Sequence, residues 1–170
     1  VRPDVDKKNP DIRINLHIVD RQCTVSLDSS GITLDKRAYK KDSVEAPINE
    51  VLAAGLLLNS GIDDYSAFHD PMCGSGTFAI EAALIAANKA PGLLRKFNFE
   101  NWKNFDEDLY MDIRSEVQTM EKNPEIEILA SDLNMKAVEA CKLNAKRAGV
   151  DKQIVIKNMD IFQSYPEQTN

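Results

Sequence analysis

Asp70, Asp132 and Asp160 each stand at the end of a short apolar run, in "SAFHD", "EIEILASD" and "QIVIKNMD". The first is followed by Gly74-Ser75-Gly76 and then by an alanine-rich stretch. A carboxylate accepts hydrogen bonds and attracts cations. Glycines let the backbone come close to a ligand, and a helix beginning behind them offers free N–H groups to an anion. One acid at a strand end is most often a helix cap or a solvated turn residue. Three at successive strand ends, the first joined to a glycine loop, point to a shared crevice, because open α/β sheets bind ligands beyond the carboxyl ends of their strands.

The charges narrow the ligand. "GSGTFA" satisfies the G-x-G-x-x-G/A dinucleotide fingerprint, with Asp132 as the ribose acid. That acid normally lies about 20 residues beyond the glycines, and here a further helical segment intervenes. Asp70 would also set a negative charge beside a pyrophosphate. A P-loop is excluded because no G-K-[ST] follows. S-adenosylmethionine matches better. Asp70 can take its ammonium, the Gly74 and Gly76 amides its carboxylate, Asp132 both ribose hydroxyls and Asp160 the adenine amine. The alternatives are a nicotinamide-dependent oxidoreductase and a non-catalytic RNA-binding module.

The elements that must hold these residues follow from periodicity. "DIRINLHIVDR" and "CTVSL" alternate apolar and polar residues around Asp20-Arg21 and predict an antiparallel hairpin with one wet face. From Pro47 the spacing becomes helical, with Ile48, Val51, Leu52, Gly55 and Leu56 as the apolar face. Then come a strand at "SAFHD", a largely buried helix stopped at Pro91-Gly92, and a helix whose apolar positions are Leu109, Ile113, Val117 and Met120. A strand over 125–132, a helix over 134–149 ending at Gly149, and a strand over 153–160 complete the order α, β, α, α, β, α, β. Strands alternating with helices predict an α/β fold with a parallel sheet.

Composition limits the function classes. The chain has 170 residues and a formal charge of −6, which argues against a broad electrostatic grip on nucleic acid. Its longest apolar run, Val51 to Leu58, is too short for a membrane span. Three scattered cysteines and two histidines form no zinc pattern and suit a cytoplasmic protein with reduced thiols. Cys73 has no histidine in a defined relation to it and reads as a small loop residue rather than a nucleophile. "KRAYKK" sets Arg37 and Lys40 around Tyr39, either an RNA contact or a solvated linker.

"DPMCGSGTFAIEAALIAANKAPGLLRKFNFENW", "SGITLDKRAY" and "SDLNMKAVEACKLNAKRAGV" together resemble a family of RNA guanine-N2 methyltransferases, the bacterial large-subunit ribosomal RNA enzymes in particular. Some relatives are described as adenine-N6 DNA methylases. The resemblance covers nearly the whole chain. It implies an RNA-binding THUMP domain ahead of a Rossmann-like class I S-adenosylmethionine-dependent methyltransferase domain. Residues 1–42 would be the end of the THUMP region with its linker, and residues 43–170 the first half of the methyltransferase domain. It further implies that Asp70, Met72, Gly74, Gly76 and Thr77 form the cofactor loop, that Asp132 and Leu133 meet the ribose, and that Met159 and Asp160 border the adenine. Two departures stand out. Ala38 occupies a position where the family usually has glycine, which would shift a tight turn. An Asn-Pro-Pro-Tyr-like motif, which binds the target amine in such enzymes, does not occur in these 170 residues. The resemblance thus implies a cofactor-binding half that transfers little methyl on its own. An exposed edge on the last strand favours dimerisation.

Overall fold

The computed structural model describes residues 5–6, 10–42 and 47–163. Strands β1 (Arg13–Val19) and β2 (Gln22–Asp28) form an antiparallel hairpin. Then follow α1 (Glu50–Asn59), β3 (Ala67–Asp70), α2 (Thr77–Ala86), α3 (Glu107–Thr119), β4 (Glu127–Asp132), α4 (Met135–Ala148) and β5 (Ile154–Asn158). The last three strands make a parallel sheet in the order β3-β4-β5. The predicted α/β fold, with a hairpin ahead of a partial parallel sheet, is therefore present. Both outer strands, β3 and β5, leave an edge unpaired among the described residues, not the last strand alone.

The core lies where α2 and α4 pack on the sheet and α1 packs on α2. Helix α2 is buried nearly all round, from Thr77 to Ala86. It ends before Pro91: Asn88 enters the left-handed region at φ 50°, and the Asn88 and Lys89 N–H groups donate to the Ile85 and Leu84 carbonyls. That is a Schellman termination, made by asparagine rather than proline. Helix α4 terminates similarly at Gly149 (φ 68°), as its sequence predicts.

Three faces differ from expectation. Helix α1 buries Ala53, Ala54 and Leu57 and leaves Val51, Leu52, Leu56 and Leu58 exposed. Its sequence is apolar all round, so periodicity cannot choose a face; the small residues win because they let α1 approach α2 closely. Helix α3 buries no residue, and Leu109, Ile113 and Met120 face out. It is tied down by the Tyr110 ring, which meets Phe99 and Phe105 edge-on, and by the Arg114 guanidinium, which donates to the Leu93 carbonyl at 3.1 Å. The hairpin is wet on both faces, with Ile14, Leu16, Ile18, Val25 and Leu27 all exposed.

In "KRAYKK" Lys36, Ala38 and Lys41 are exposed, while Arg37, Tyr39 and Lys40 turn inward to partners in the protein. Tyr39 is 1% exposed and donates to Glu81 Oε1 at 2.8 Å. Arg37 lies 3.5 Å from the other Glu81 oxygen, and Lys40 pairs with Glu50 and the Ile48 carbonyl. Burial pushes the Glu81 carboxyl up, and the Tyr39 hydroxyl and the Arg37 charge oppose the shift. The proposed RNA contacts Arg37, Tyr39 and Lys40 are thus engaged in bolting the linker to α1 and α2. A buried polar group needs its partner, and leaving the strap would orphan Glu81. Further upstream, Arg95 gathers the linker's carbonyls, donating to Thr33 at 2.9 Å and Ser30 at 3.0 Å as well as to Ile32.

Ala38 sits between these anchors at φ 64°. Alanine here adopts the left-handed conformation that glycine takes freely. The side chain is exposed, so little contact is lost by removing it. Ala38→Gly should stabilise the protein by about 0.5–1 kcal/mol, the relieved strain exceeding the added unfolded-state entropy. Thermal denaturation should show a rise of a few degrees, and a fall would contradict the strain assignment.

Candidate functional site

The parallel register aligns the carboxyl ends of β3, β4 and β5 on one edge of the sheet. Three loops leave there. The first runs from Asp70 to Thr77, and two left-handed glycines shape it: Gly74 at φ 52° and Gly76 at φ 85°. Gly76 also allows a close approach. A Cβ there would lie 2.3 Å from the Cys141 sulfur on α4. The loop curls back through Gly76 N–H donating to the Cys73 carbonyl at 2.7 Å. Helix α2 starts immediately after, with Gly76 as its cap and no side chain bonded to its first turn. That start is open to an anion.

Asp132 joins the loops. Its Oδ2 accepts from Gly74 N–H at 2.9 Å and its Oδ1 from Asn134 N–H at 2.8 Å. The Gly74 amide, expected to face an anionic ligand, is thus bonded to a carboxylate of the protein. Each Asp132 oxygen keeps a further acceptor site for an external hydroxyl. Asp70 lies close enough for the Asp132 charge to act on it. Burial pushes its carboxyl up; the Met72 N–H holds it down and the Asp132 charge adds to the rise. Two mutually repelling carboxylates beside one glycine loop suit a cationic ligand.

Met72 and Leu133 project from the two loops, 71% and 70% exposed, a pair of bare apolar side chains at the sheet end. Thr77 is buried in the first turn of α2. Met159 N–H donates to the Asp132 carbonyl at 3.2 Å, which brings the end of β5 against β4. Asp160 lies two residues past the strand rather than at its end, and its Oδ1 accepts from Phe162 N–H at 3.0 Å. All nine residues therefore belong to the three loops at one edge of the sheet.

Two contributors escaped sequence reasoning. The Asn158 side-chain amide donates to the Asp132 and Leu133 carbonyls, both at 2.9 Å, and fixes the backbone that carries the Asp132 carboxylate. Ser131 is buried under His69 at 3.3 Å, and its carbonyl accepts from Cys73 N–H. Their only signal was proximity to an aspartate already singled out. Contact with Cys141 and burial push the Cys73 thiol up, which suits a small packed loop residue.

Comparison with known proteins decides the family. The UPF0020 family, an RMKL-like methyltransferase domain, matches residues 37–169. The chain belongs to that family. The THUMP domain matches residues 2–28 of this RMKL-like chain. The ribosomal RNA large subunit methyltransferase K/L of Aeromonas hydrophila subsp. hydrophila is 40% identical over 166 residues, 95% of this chain and 23% of that protein. Among solved structures, SMU.472, assigned as a methyltransferase and complexed with SAH, superposes with a TM-score of 0.81 at 35% identity, over 95% of this chain and 42% of that one. A Listeria monocytogenes protein assigned as an N6-adenine-specific DNA methylase has a TM-score of 0.81 at 32% identity, over 92% of this chain and 41% of that one. This RMKL-like chain thus spans less than a quarter of the curated relative's length.

Asp70 carries a cost in stability. Its folded value is raised above the ordinary 3.8, so the native state holds its proton more tightly than the unfolded chain. Its stabilising contribution is full below the unfolded value and is lost as pH rises through the folded one. Asp70→Asn keeps the acceptor for Met72 N–H and removes the charge. It should raise the melting temperature at pH 7, with the gain vanishing in acid. An equal gain at both pH values would show that the effect is not electrostatic.

Proposed function

We propose that this chain is the cofactor-binding half of an S-adenosylmethionine-dependent methyltransferase acting on ribosomal RNA, at guanine N2. The observation that carries the reading is the meeting of Asp70, the Gly74–Gly76 loop and Asp132 at one end of a parallel sheet, in a family with a solved neighbour complexed with SAH. When bound, S-adenosylmethionine supplies an electrophilic methyl group on sulfur. Asp70 would hold its ammonium, the open start of α2 its carboxylate and Asp132 its ribose hydroxyls. Met72 and Leu133 would cover the apolar faces of the nucleoside, with Met159 and Asp160 beside the adenine. The protein's contribution to transfer is then chiefly proximity and orientation, with the target base drawn out of its helix.

The substrate class rests on the K/L relative and on the THUMP match at residues 2–28. In this reading residues 1–42 close a THUMP domain and lead into the methyltransferase domain at 43–170. The bare apolar face of β1 and β2 would pack on the rest of that THUMP domain. Adenine N6 is the second reading for the acceptor, favoured by the Listeria neighbour. A nicotinamide dinucleotide is disfavoured because a pyrophosphate would sit between Asp70 and Asp132.

Titration calorimetry separates these ligands. S-adenosylhomocysteine should bind saturably, NAD should not, and Asp132→Ala should weaken S-adenosylhomocysteine by about tenfold or more, as expected for losing hydrogen bonds to a charged acceptor. Affinity should also fall as pH drops through the raised Asp70 value, because the protonated acid no longer pairs with the ammonium. Saturable binding of NAD alone would refute the reading.

A further inference from the structure

The linker and the glycine loop share one side chain. Asn144 on α4 is fully buried. Its Nδ2 donates to the Asp42 carbonyl at 2.7 Å and to the Ser75 carbonyl at 3.1 Å. Its Oδ1 accepts from Lys41 N–H at 3.3 Å, Asp42 N–H at 3.4 Å and the Arg147 guanidinium at 3.0 Å. Arg147 also pairs with the Asp42 carboxylate. Both amide hydrogens and the carbonyl oxygen are therefore engaged, one hydrogen on each side of the joint.

We propose that Asn144 is a positioning residue that makes the shape of the cofactor loop depend on the linker at Lys41 and Asp42. The proposal rests on the cofactor reading of that loop. Ser75 lies between the two left-handed glycines, and its carbonyl belongs to the same peptide plane as Gly76 N–H. Because that plane is rigid, fixing the carbonyl fixes the direction of the N–H that closes the loop on Cys73. The far end of the amide holds a strap that Tyr39 and Arg37 bolt to α2 and Lys40 bolts to α1. That strap joins the hairpin to the methyltransferase body. A pull on the linker reaches the glycine loop through one amide group. No other residue type of this size offers two donors and an acceptor in that arrangement; aspartate loses both donors, and leucine loses all three functions.

A double-variant cycle tests this in the 170-residue chain. Asn144→Leu removes the joint. Asp42→Pro removes the Asp42 N–H and the carboxylate that pairs with Arg147, and leaves Asn144 in place. Asn144→Leu should weaken S-adenosylhomocysteine by about tenfold, the effect of unpairing buried backbone acceptors. Asp42→Pro should weaken it about threefold, and the double variant should bind no more weakly than Asn144→Leu alone, because the amide that joins Asp42 to the Ser75 carbonyl is then absent. Effects that multiply would overturn the proposal. In cofactor-free protein, the Gly74 and Gly76 amide resonances should move in Asp42→Pro but not when Asp42→Pro is added to Asn144→Leu. If wild-type protein binds no S-adenosylhomocysteine, the cofactor reading fails while these resonances still decide the coupling. If circular dichroism shows Asn144→Leu unfolded, the Asp42→Pro resonances decide alone: movement supports the joint, and unmoved resonances overturn it.

Discussion

The bond from Gly74 N–H to the Asp132 carboxylate ties the end of β3 to the end of β4. It is the bond by which the glycine loop meets the Asp132 side chain itself, beside the backbone bond from Cys73 N–H to Ser131. A charge-assisted bond of this kind is roughly twice as strong as a neutral one. It also uses one acceptor site on one oxygen, leaving the carboxylate able to receive a ligand's hydroxyls. Around it, Asn158 braces the Asp132 backbone, Met159 draws in β5 and Cys73 N–H meets Ser131. The site is a seam of backbone groups, which is why it needs few side chains of its own.

The cost of the arrangement falls on Asp70. It is held near Asp132 in a partly buried position, and its carboxyl value rises in consequence. A structure selected only for stability would place a neutral residue there. An acid at that position fits a cationic ligand, and the start of α2, with no side-chain cap, fits the anionic group of the same ligand. Opposite charges a short distance apart describe an amino-acid moiety.

The order of elements, the hairpin and the loop carrying the acids were legible because each has a strong local signal: strict alternation, helix periods and a glycine pair after a strand. The faces of α1 and α3 were not. In α1 every position from Val51 to Leu58 is apolar or small, so only the neighbour it meets, α2, selects Ala53 and Ala54. In α3 the helical spacing of Leu109 and Ile113 is real, but no described element covers it. Tyr39 was unreadable for a different reason. Its partner Glu81 sits in a helix whose other residues are apolar, and nothing local links the two. Asn144 likewise lies in a stretch of lysines and alanines that reads as an ordinary wet helix, and its burial is set by a linker a hundred residues away in sequence. Long-range polar pairs are fixed by the fold and leave little trace in spacing.

The central claim is that Asp70, the glycine loop and Asp132 form one pocket for the amino-acid and ribose parts of S-adenosylmethionine. A crystal structure of this chain with S-adenosylhomocysteine tests it directly. The ligand's ammonium should lie against Asp70, its carboxylate at the first turn of α2 and its ribose hydroxyls on Asp132, with the Gly74–Asp132 bond intact. A ligand bound away from the carboxyl ends of β3 and β4, or with its ammonium turned from Asp70, would contradict the account.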